Sequence, residues 1–312
     1  MISASLRLLG RHARPMLPVG VTIGLILPPL AEALQFLVTP AVVGLLTAAL
    51  LRLDWTALKS ALARPGLPFR ITLWQLIVSP LAVWALARVG IIPDAFTVLS
   101  VLQAASAPIG STAAFALFLG IPGQLCMTGT VMMTLAVPFT LTATVALLLP
   151  SFGIQIDLLR FFGQAAFTAL APFVITAAIR HSLGETRLRE LDGELAGVTV
   201  VLMVLFAVAI MHGVTATFLE QPSLILRLMA WSWIAAIVWH LVGYLLLRRV
   251  GQQEAMSAAL MLGNRNLGIT LAVTAGTAGE AFQMYAGLAQ IPLFCAPLLL
   301  APVREWLGGK GR

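Results

Sequence analysis

A polar segment inside a long apolar stretch contains the first residues that could bind an ion or a substrate. Residues 263–268 read Gly-Asn-Arg-Asn-Leu-Gly, and Asn264 and Asn266 are the only asparagines of the chain. A charge at the centre of a membrane helix costs about 2.5–3.5 kcal/mol on insertion scales, so Arg265 marks a functional site by default. The two glycines allow the backbone to unwind at little steric cost. The alternative is that Arg265 ends a helix and extends its charge to the membrane surface; the apolar sequence on both sides argues against it.

A second interruption lies at residues 105–112, which read Ala-Ser-Ala-Pro-Ile-Gly-Ser-Thr. Pro108 removes a backbone donor and clashes with the preceding helical turn, and Gly110 follows two residues later. Taken alone, this segment predicts an ordinary kink in a packed helix. Two interrupted apolar segments at corresponding positions of two halves of a chain, however, are typical of the binding site of a transporter.

The two interruptions together supply the candidate binding residues. Half-helix N-termini present free N–H groups and a partial positive charge, which suit an anion. We therefore predict a substrate site formed by Pro108, Gly110, Ser111, Thr112, Asn264 and Asn266. For the hydroxyl residues the alternative is a hydrogen bond to their own preceding turn or to a neighbouring helix.

The amino-acid composition indicates whether these residues lie in water or in a membrane. The chain has 312 residues, of which 60% are hydrophobic and only 10% are charged, whereas soluble domains carry about 25% charged residues. We therefore predict an all-α integral membrane protein whose main surroundings are the lipid bilayer. The net charge of +7 would suggest nucleic acid in a soluble protein; here the basic residues flank apolar segments and indicate topology, so no nucleic-acid partner is expected.

The apolar residues form ten segments near the ~20 residues that cross a bilayer. They are roughly 16–31, 35–51, 68–87, 95–119, 124–149, 160–180, 194–218, 223–247, 253–276 and 281–303. If the N-terminus is cytoplasmic, only Arg88, Arg160 and Arg227 of the nineteen basic residues face the other side, with Arg265 inside the membrane. This asymmetry predicts ten spanning helices with both termini in the cytoplasm. Five helices in each half would make the second half inverted relative to the first.

No group of residues has the spacing of a catalytic site. We find no Ser/His/Asp set, no paired intramembrane carboxylates, no metal-ligand spacing and no phosphate-binding loop. Cys126 and Cys295 lie in apolar segments and behave most simply as small buried hydrophobic residues. The sequence therefore predicts neither an enzyme nor a cofactor or metal site.

In order along the chain, four stretches resemble the bile acid:sodium symporter family, in particular its bacterial ten-helix members. They are residues 53–65, 75–81 with Gln75 and Pro80, 108–112, and 263–268. The resemblance implies one membrane domain over 1–312 with two parts. Helices one, two, six and seven, at about 16–51 and 160–218, would form a panel, and helices three to five and eight to ten, at about 68–149 and 223–303, would form a core. Helices four and nine would cross at their breaks, with substrate between panel and core.

The same resemblance shows where this chain departs from the family. Sodium-coupled members use an acidic residue and a glutamine around the ninth-helix break, and these positions fall on Met261 and Arg265. A Ser-Asn pair in the fourth-helix break becomes Ala113-Ala114, while Gln75 of the third helix is kept. Sodium coupling is therefore not expected, and Arg265 would supply a tethered cation at the helix crossing.

The sequence thus predicts a secondary transporter of a small organic anion in a bacterial inner membrane, working by alternating access. Two alternatives stay open. One is a proton-coupled exchanger, or one coupled to another ion, of related fold. The other is a membrane sensor or binding protein without transport activity.

Overall fold

The computed structural model describes residues 2–11, 13–63, 65–153, 156–274 and 279–309, and within these ranges the chain is helical without a named β-strand. The helices are α1 (Ile2–Arg11), α2 (Ala13–Ile26), α3 (Pro28–Leu34), α4 (Val38–Leu51), α5 (Trp55–Leu62), α6 (Gly66–Leu73), α7 (Ser79–Arg88), α8 (Asp94–Ala104), α9 (Thr112–Phe118), α10 (Gln124–Leu148), α11 (Leu158–Glu190), α12 (Asp192–Ala209), α13 (Val214–Glu220), α14 (Pro222–Leu247), α15 (Gln252–Gly263), α16 (Leu267–Thr274), α17 (Gly279–Leu288) and α18 (Gln290–Gly309). A π-helix, Trp74–Val78, joins α6 to α7. Arg64, Lys310, Arg312 and the end of the segment predicted at 253–276 lie outside the described residues.

In the part of the chain that the structure describes, seven helical stretches are long and apolar enough to cross a membrane. They are Pro28–Leu51, Gly66–Arg88, Gln124–Phe152, Leu158–Glu190, Asp192–Glu220, Pro222–Leu247 and Gly279–Glu305. The prediction of a helical integral membrane protein is confirmed. The segments predicted at 16–31, 95–119 and 253–276 are not among the seven, because the first contains a shorter helix and the other two are each divided into two.

The boundary between the first two predicted segments was wrong. The first helix ends at Ile26 and the next begins at Pro28, so residues 28–31 belong to the second segment. Proline disfavours a helical conformation in the residue before it, and Leu27 accordingly has φ −117° and ψ 69°. Proline is itself well suited to the first turn of a helix, which explains why α3 starts there.

Close contacts at glycines bring α2, α4 and α12 together. A Cβ on Gly20 of α2 would lie 2.9 Å from the Cβ of Ala207, and a Cβ on Gly44 of α4 would lie 3.0 Å from a methyl group of Leu202. Both partners belong to α12. Small residues let membrane helices approach closely, and van der Waals packing then holds them.

Ion pairs define one end of this group of helices. Arg7 pairs with Glu194 at 2.7 Å, and Arg52 pairs with Asp192 at 2.7 Å. Arg180 donates to the carbonyl oxygen of Leu51 at 3.1 Å. Exposed pairs of this kind contribute only about 0–1 kcal/mol each, so their main interest is that they place the end of α4 and the start of α12 on the same side.

Helix α8 is fixed by contacts with two later helices. Trp231 of α14 stacks on Phe96 with ring centroids 4.7 Å apart, and its Nε1 donates to Ser100 Oγ at 2.8 Å. The hydroxyl of Tyr285 on α17 donates to Gln103 Oε1 at 2.6 Å. These contacts fix α8 along its length, and the bond from Tyr285 holds its last turn, where the chain leaves helical conformation.

Candidate functional site

The two predicted interruptions lie against each other. Helix α8 ends at Ala104 and α9 begins at Thr112, while α15 ends at Gly263 and α16 begins at Leu267. Between them the N–H of Ile109 donates to the Asn264 carbonyl at 2.9 Å, and the N–H of Asn266 donates to the Ala107 carbonyl at 2.6 Å. Pro108 and Arg265 thereby form an antiparallel bridge. The exchange satisfies backbone groups that a break would otherwise leave unpaired inside a membrane.

The side chain of Arg265 enters this crossing and is only 1% exposed. Its Nη1 donates to the Ala104 carbonyl at 2.6 Å and its Nε to the Leu262 carbonyl at 2.6 Å. Longer contacts of 3.3–3.4 Å reach the carbonyls of Ser106 and Gln75 and the hydroxyl of Ser79. At such distances a hydrogen bond is weak, so the two short bonds carry most of the interaction.

Two prolines explain why carbonyl oxygens are free to accept from a guanidinium. In a regular helix the Ala104 carbonyl would accept from the N–H of residue 108, but Pro108 has none. In a π-helix the carbonyl of residue 75 would accept from the N–H of residue 80, but Pro80 also lacks an N–H. The N–H of Ser79 bonds to the Trp74 carbonyl instead.

The charge of Arg265 is balanced without a carboxylate. Among the described residues, no Asp or Glu lies within ion-pair distance of it. The guanidinium carbon instead lies 4.5 Å from the ring centroid of Trp239, a cation–π geometry. The carbonyl ends of α8 and α15 carry the partial negative charge of helix C-termini, and these ends surround the cation.

The residues predicted at the first break differ in their burial and in whether their side chains already form hydrogen bonds. Thr112 is fully buried, and its Oγ1 donates to the Ile109 carbonyl at 2.7 Å; this is the local bond considered as its alternative role. Ser111 is half-buried and does not cap α9 with its side chain. Gly110 lies against α4, where an added Cβ would be 3.4 Å from that of Ala49. Pro108 is buried in the bridge itself.

The two asparagines of the second break are in contrasting states. Asn266 is half-buried, and its Oδ1 accepts from the N–H of Ile269 at 3.2 Å, which caps the start of α16. Asn264 is fully buried, yet neither its Oδ1 nor its Nδ2 has a hydrogen-bond partner. An unsatisfied buried polar group costs about 1–3 kcal/mol, so the amide of Asn264 is available to a ligand or a water molecule.

Gln75 links the π-helix to the first break. Its Nε2 donates to the Ser106 carbonyl at 3.1 Å, while its Oε1 is buried without a partner. Ser106 also shares a hydroxyl hydrogen bond of 2.6 Å with Thr270 of α16. The predicted polar support of Gln75 thus acts on the same carbonyl that contacts Arg265.

Several residues of the crossing were not predicted. Trp239 and His240 lie one after the other on α14, and the ring of His240 occupies the space where a Cβ on Gly263 would be. Pro80 was noted only as part of a resemblance, although a proline inside an apolar segment indicates an irregular helical turn. The position predicted to replace an acid, Met261, packs its sulfur against Gly129 of α10.

Two cavities adjoin these elements. One of about 520 Å³ lies between the start of α4 and the helices α16 and α17, and its polar lining comes from Gln35, Thr39, Thr274, Glu280 and Gln283. The other, of about 700 Å³, lies among α5, α6, α10 and α15 and is lined by Ser60, Gln124, Thr128, Gln253, Glu254 and Ser257. The first lies at the end of α16 away from the crossing and at the end of α4 opposite Arg52.

No protein-family model matches the chain, and no curated protein matches it. The resemblance to the bile acid:sodium symporters therefore stays a prediction that rests on the four motifs.

Proposed function

We propose that this protein is a secondary transporter of a small organic anion. The observation that carries the proposal is the crossing of two broken helices around a buried arginine without an acidic partner. Broken helices near the membrane midplane are a recurring way to build a transport site, because their free ends offer charge and hydrogen bonds there. A structural arginine alone would not need two interrupted helices.

The preference for an anion follows from the charges at the crossing. Arg265 neutralises the carbonyl ends of α8 and α15, which leaves the N-terminal end of α16 without a compensating negative charge. Asn266 caps this end and is half-buried, and the unpartnered amide of Asn264 lies two residues away. A carboxylate or sulfonate would be attracted by the partial positive charge of this end and would find a donor in the unpartnered amide of Asn264, whereas a cation would be repelled.

The cavity of about 520 Å³ supports access from one side. Its walls belong to the predicted panel, through α4, and to the predicted core, through α16 and α17. Gly110 and Gly268 are the points where the crossing meets the panel: a Cβ on Gly268 would lie 3.0 Å from a methyl group of Val42. Small residues at this boundary would let the two parts move past each other, as alternating access requires.

In this proposal the chain spans the membrane ten times as two inverted five-helix repeats. Seven of the spans would be the long helices. The other three would be α1–α2 and the two broken helices, α8–α9 and α15–α16. Each broken pair together covers the length of one predicted segment. A proton-coupled exchanger of the same fold is the second candidate; the buried Nε2 of His240, which has no hydrogen-bond partner, is the observation that favours it.

A stability screen tests the proposal directly. The purified protein is heated with a panel of mono- and dicarboxylates, sulfonates and steroid-like anions, each as a sodium and as a choline salt. We expect at least one anion to raise Tm saturably, by about 5–10 °C at a hundredfold excess over Kd, and equally in both salts. Uptake of that anion into liposomes then separates a transporter from a sensor.

Two variants sharpen the screen. Asn266→Asp keeps an acceptor for the α16 cap but places a negative charge at the anion site, so anion affinity should fall about tenfold or more. Thr140→Val on α10 removes a local hydroxyl bond away from the crossing and should leave affinity unchanged. Stabilisation by cations but by no anion would refute the proposal. A saturable need for sodium would refute the prediction that transport is not coupled to sodium.

A further inference from the structure

The oxygen atoms around Arg265 lack other donors for reasons built into the backbone. Pro108 leaves the Ala104 carbonyl without its helical donor, and Pro80 does the same for Gln75. The N–H that would reach the Leu262 carbonyl belongs to Asn266, which donates to Ala107 instead. Three acceptors are thus exposed to whatever occupies the space between them.

These acceptors are held in place by contacts that do not involve the arginine side chain. The last turn of α8 is fixed by the Tyr285–Gln103 bond of 2.6 Å. Gln75 bonds across to the Ser106 carbonyl, and the two breaks are joined through the backbone of Ala107 and Asn266. The arrangement of oxygens should therefore persist when the side chain of residue 265 is shortened.

The shape of the acceptor set matches a planar fork. The two short bonds, to Leu262 and Ala104, involve different nitrogens of one guanidinium, and the ring of Trp239 lies 4.5 Å from its carbon. Guanidinium groups donate in fixed directions in one plane and stack on aromatic rings. A spherical alkali ion supplies neither the directed N–H groups nor a flat face.

We propose that this set of oxygens, together with Trp239, is a guanidinium-binding site in its own right. The chain fills it with Arg265, and it accepts free guanidinium ion once that side chain is removed. The site locks the two breaks together, so its occupancy controls the stability of the crossing. This inference goes beyond the transport proposal, because it concerns folding and holds whichever anion the protein carries.

The test is chemical rescue of Arg265→Ala, read as Tm of the full-length purified chain. We expect the variant to lose about 10 °C in Tm. Low-millimolar guanidinium or methylguanidinium should restore at least half of that loss with a saturable dose dependence. Equal concentrations of sodium or choline should restore nothing, and tetramethylguanidinium should also fail, because its methyl groups replace most of the N–H donors.

The controls separate a specific site from a general effect. The same additives should not raise Tm of the wild type. They should also not raise Tm of Arg180→Ala, in which an arginine that donates to the Leu51 carbonyl near the exposed end of the bundle is lost. Rescue of Arg265→Ala by sodium or by tetramethylguanidinium to the same extent, or no rescue by guanidinium, would overturn the inference.

The design also covers a variant that is too unstable to purify alone. Extraction of Arg265→Ala is run in parallel with and without guanidinium. Recovery of monodisperse protein only when guanidinium is present supports the site. Recovery in neither buffer contradicts it, because the ligand should then have replaced the missing side chain.

Discussion

Arg265 shows how a membrane protein can hold a full charge without an ion pair. Removing such an ion from water costs several kcal/mol even after relaxation. Hydrogen bonds to a charged group contribute about 1.5–3 kcal/mol each, and a desolvated cation–π contact contributes about 2 kcal/mol. The two short bonds to Leu262 and Ala104 and the contact with Trp239 are thus of the right size to offset the cost.

Asn264 lets a binding role be separated from a structural one. Because neither amide atom has a partner, Asn264→Leu removes unsatisfied groups without breaking a bond. We expect the free energy of unfolding to stay the same or to rise by about 1–3 kcal/mol, while affinity for the anion found in the screen falls at least about tenfold. Denaturation curves and ligand titrations on the same preparation measure both.

The matched control for this prediction is Gln103→Leu. Gln103 accepts from Tyr285, so its loss leaves a buried hydroxyl unpaired and should lower stability by about 1–3 kcal/mol. If Asn264→Leu instead lowered stability as much as Gln103→Leu, the amide of Asn264 would have a structural partner, and its assignment to a ligand would be wrong.

At the scale of elements, the prolines decide where helices stop. Pro108→Ala would give residue 108 an N–H that competes with Arg265 for the Ala104 carbonyl and would favour continuation of α8. We expect a loss of about 1.5–3 kcal/mol, the value of one charged hydrogen bond, seen as a lower Tm and weaker anion binding. Pro138→Ala, in the interior of α10, should be neutral or stabilising, because it restores an ordinary helical bond. Equal effects of the two substitutions would mean that Pro108 is only a kink.

The positions of the two breaks could be predicted from sequence, but their chemistry could be predicted only in part. Proline and glycine act on their own neighbours, so the interruptions at 105–112 and 263–268 are local properties. The acceptors for Arg265 are not: Ala104 and Gln75 are 161 and 190 positions away from it. A single sequence holds no local signal for such pairing. Backbone carbonyls could be expected as acceptors for Arg265, but the particular carbonyls and Trp239 could not.

Most predicted segments were visible because hydrophobic length is a sufficient signal for a membrane helix. The first segment fails that criterion. Its helix, Ala13–Ile26, has only 14 residues. Because Pro28 starts the next helix, the first helix ends before residue 31, where the apolar length alone had placed its end.

For the whole molecule, sidedness is the prediction with the clearest measurement. The ion pairs of Arg7 and Arg52 place several charged ends on one side, and the positive-inside rule assigns that side to the cytoplasm. In a background with Cys126 and Cys295 replaced by alanine, Ser182→Cys should react with an impermeant maleimide only after permeabilisation. Ser223→Cys, in the first turn of α14 just after the end of α13, should react in intact cells. The reverse pattern would invert the topology.

The packing of α2 against α12 has a consequence for the order in which the chain is built. Gly20 and Gly24 give α2 its contact with α12, yet Ala207, which lies against Gly20, comes 187 positions later in the chain. At about 5–20 residues per second of synthesis, α2 would wait roughly 10–40 s for this partner. With only 14 residues, fewer than the ~20 that cross a bilayer, it would spend that interval at the bilayer surface or in the insertion machinery. The final depth of the first helix would therefore be settled late, when α12 arrives.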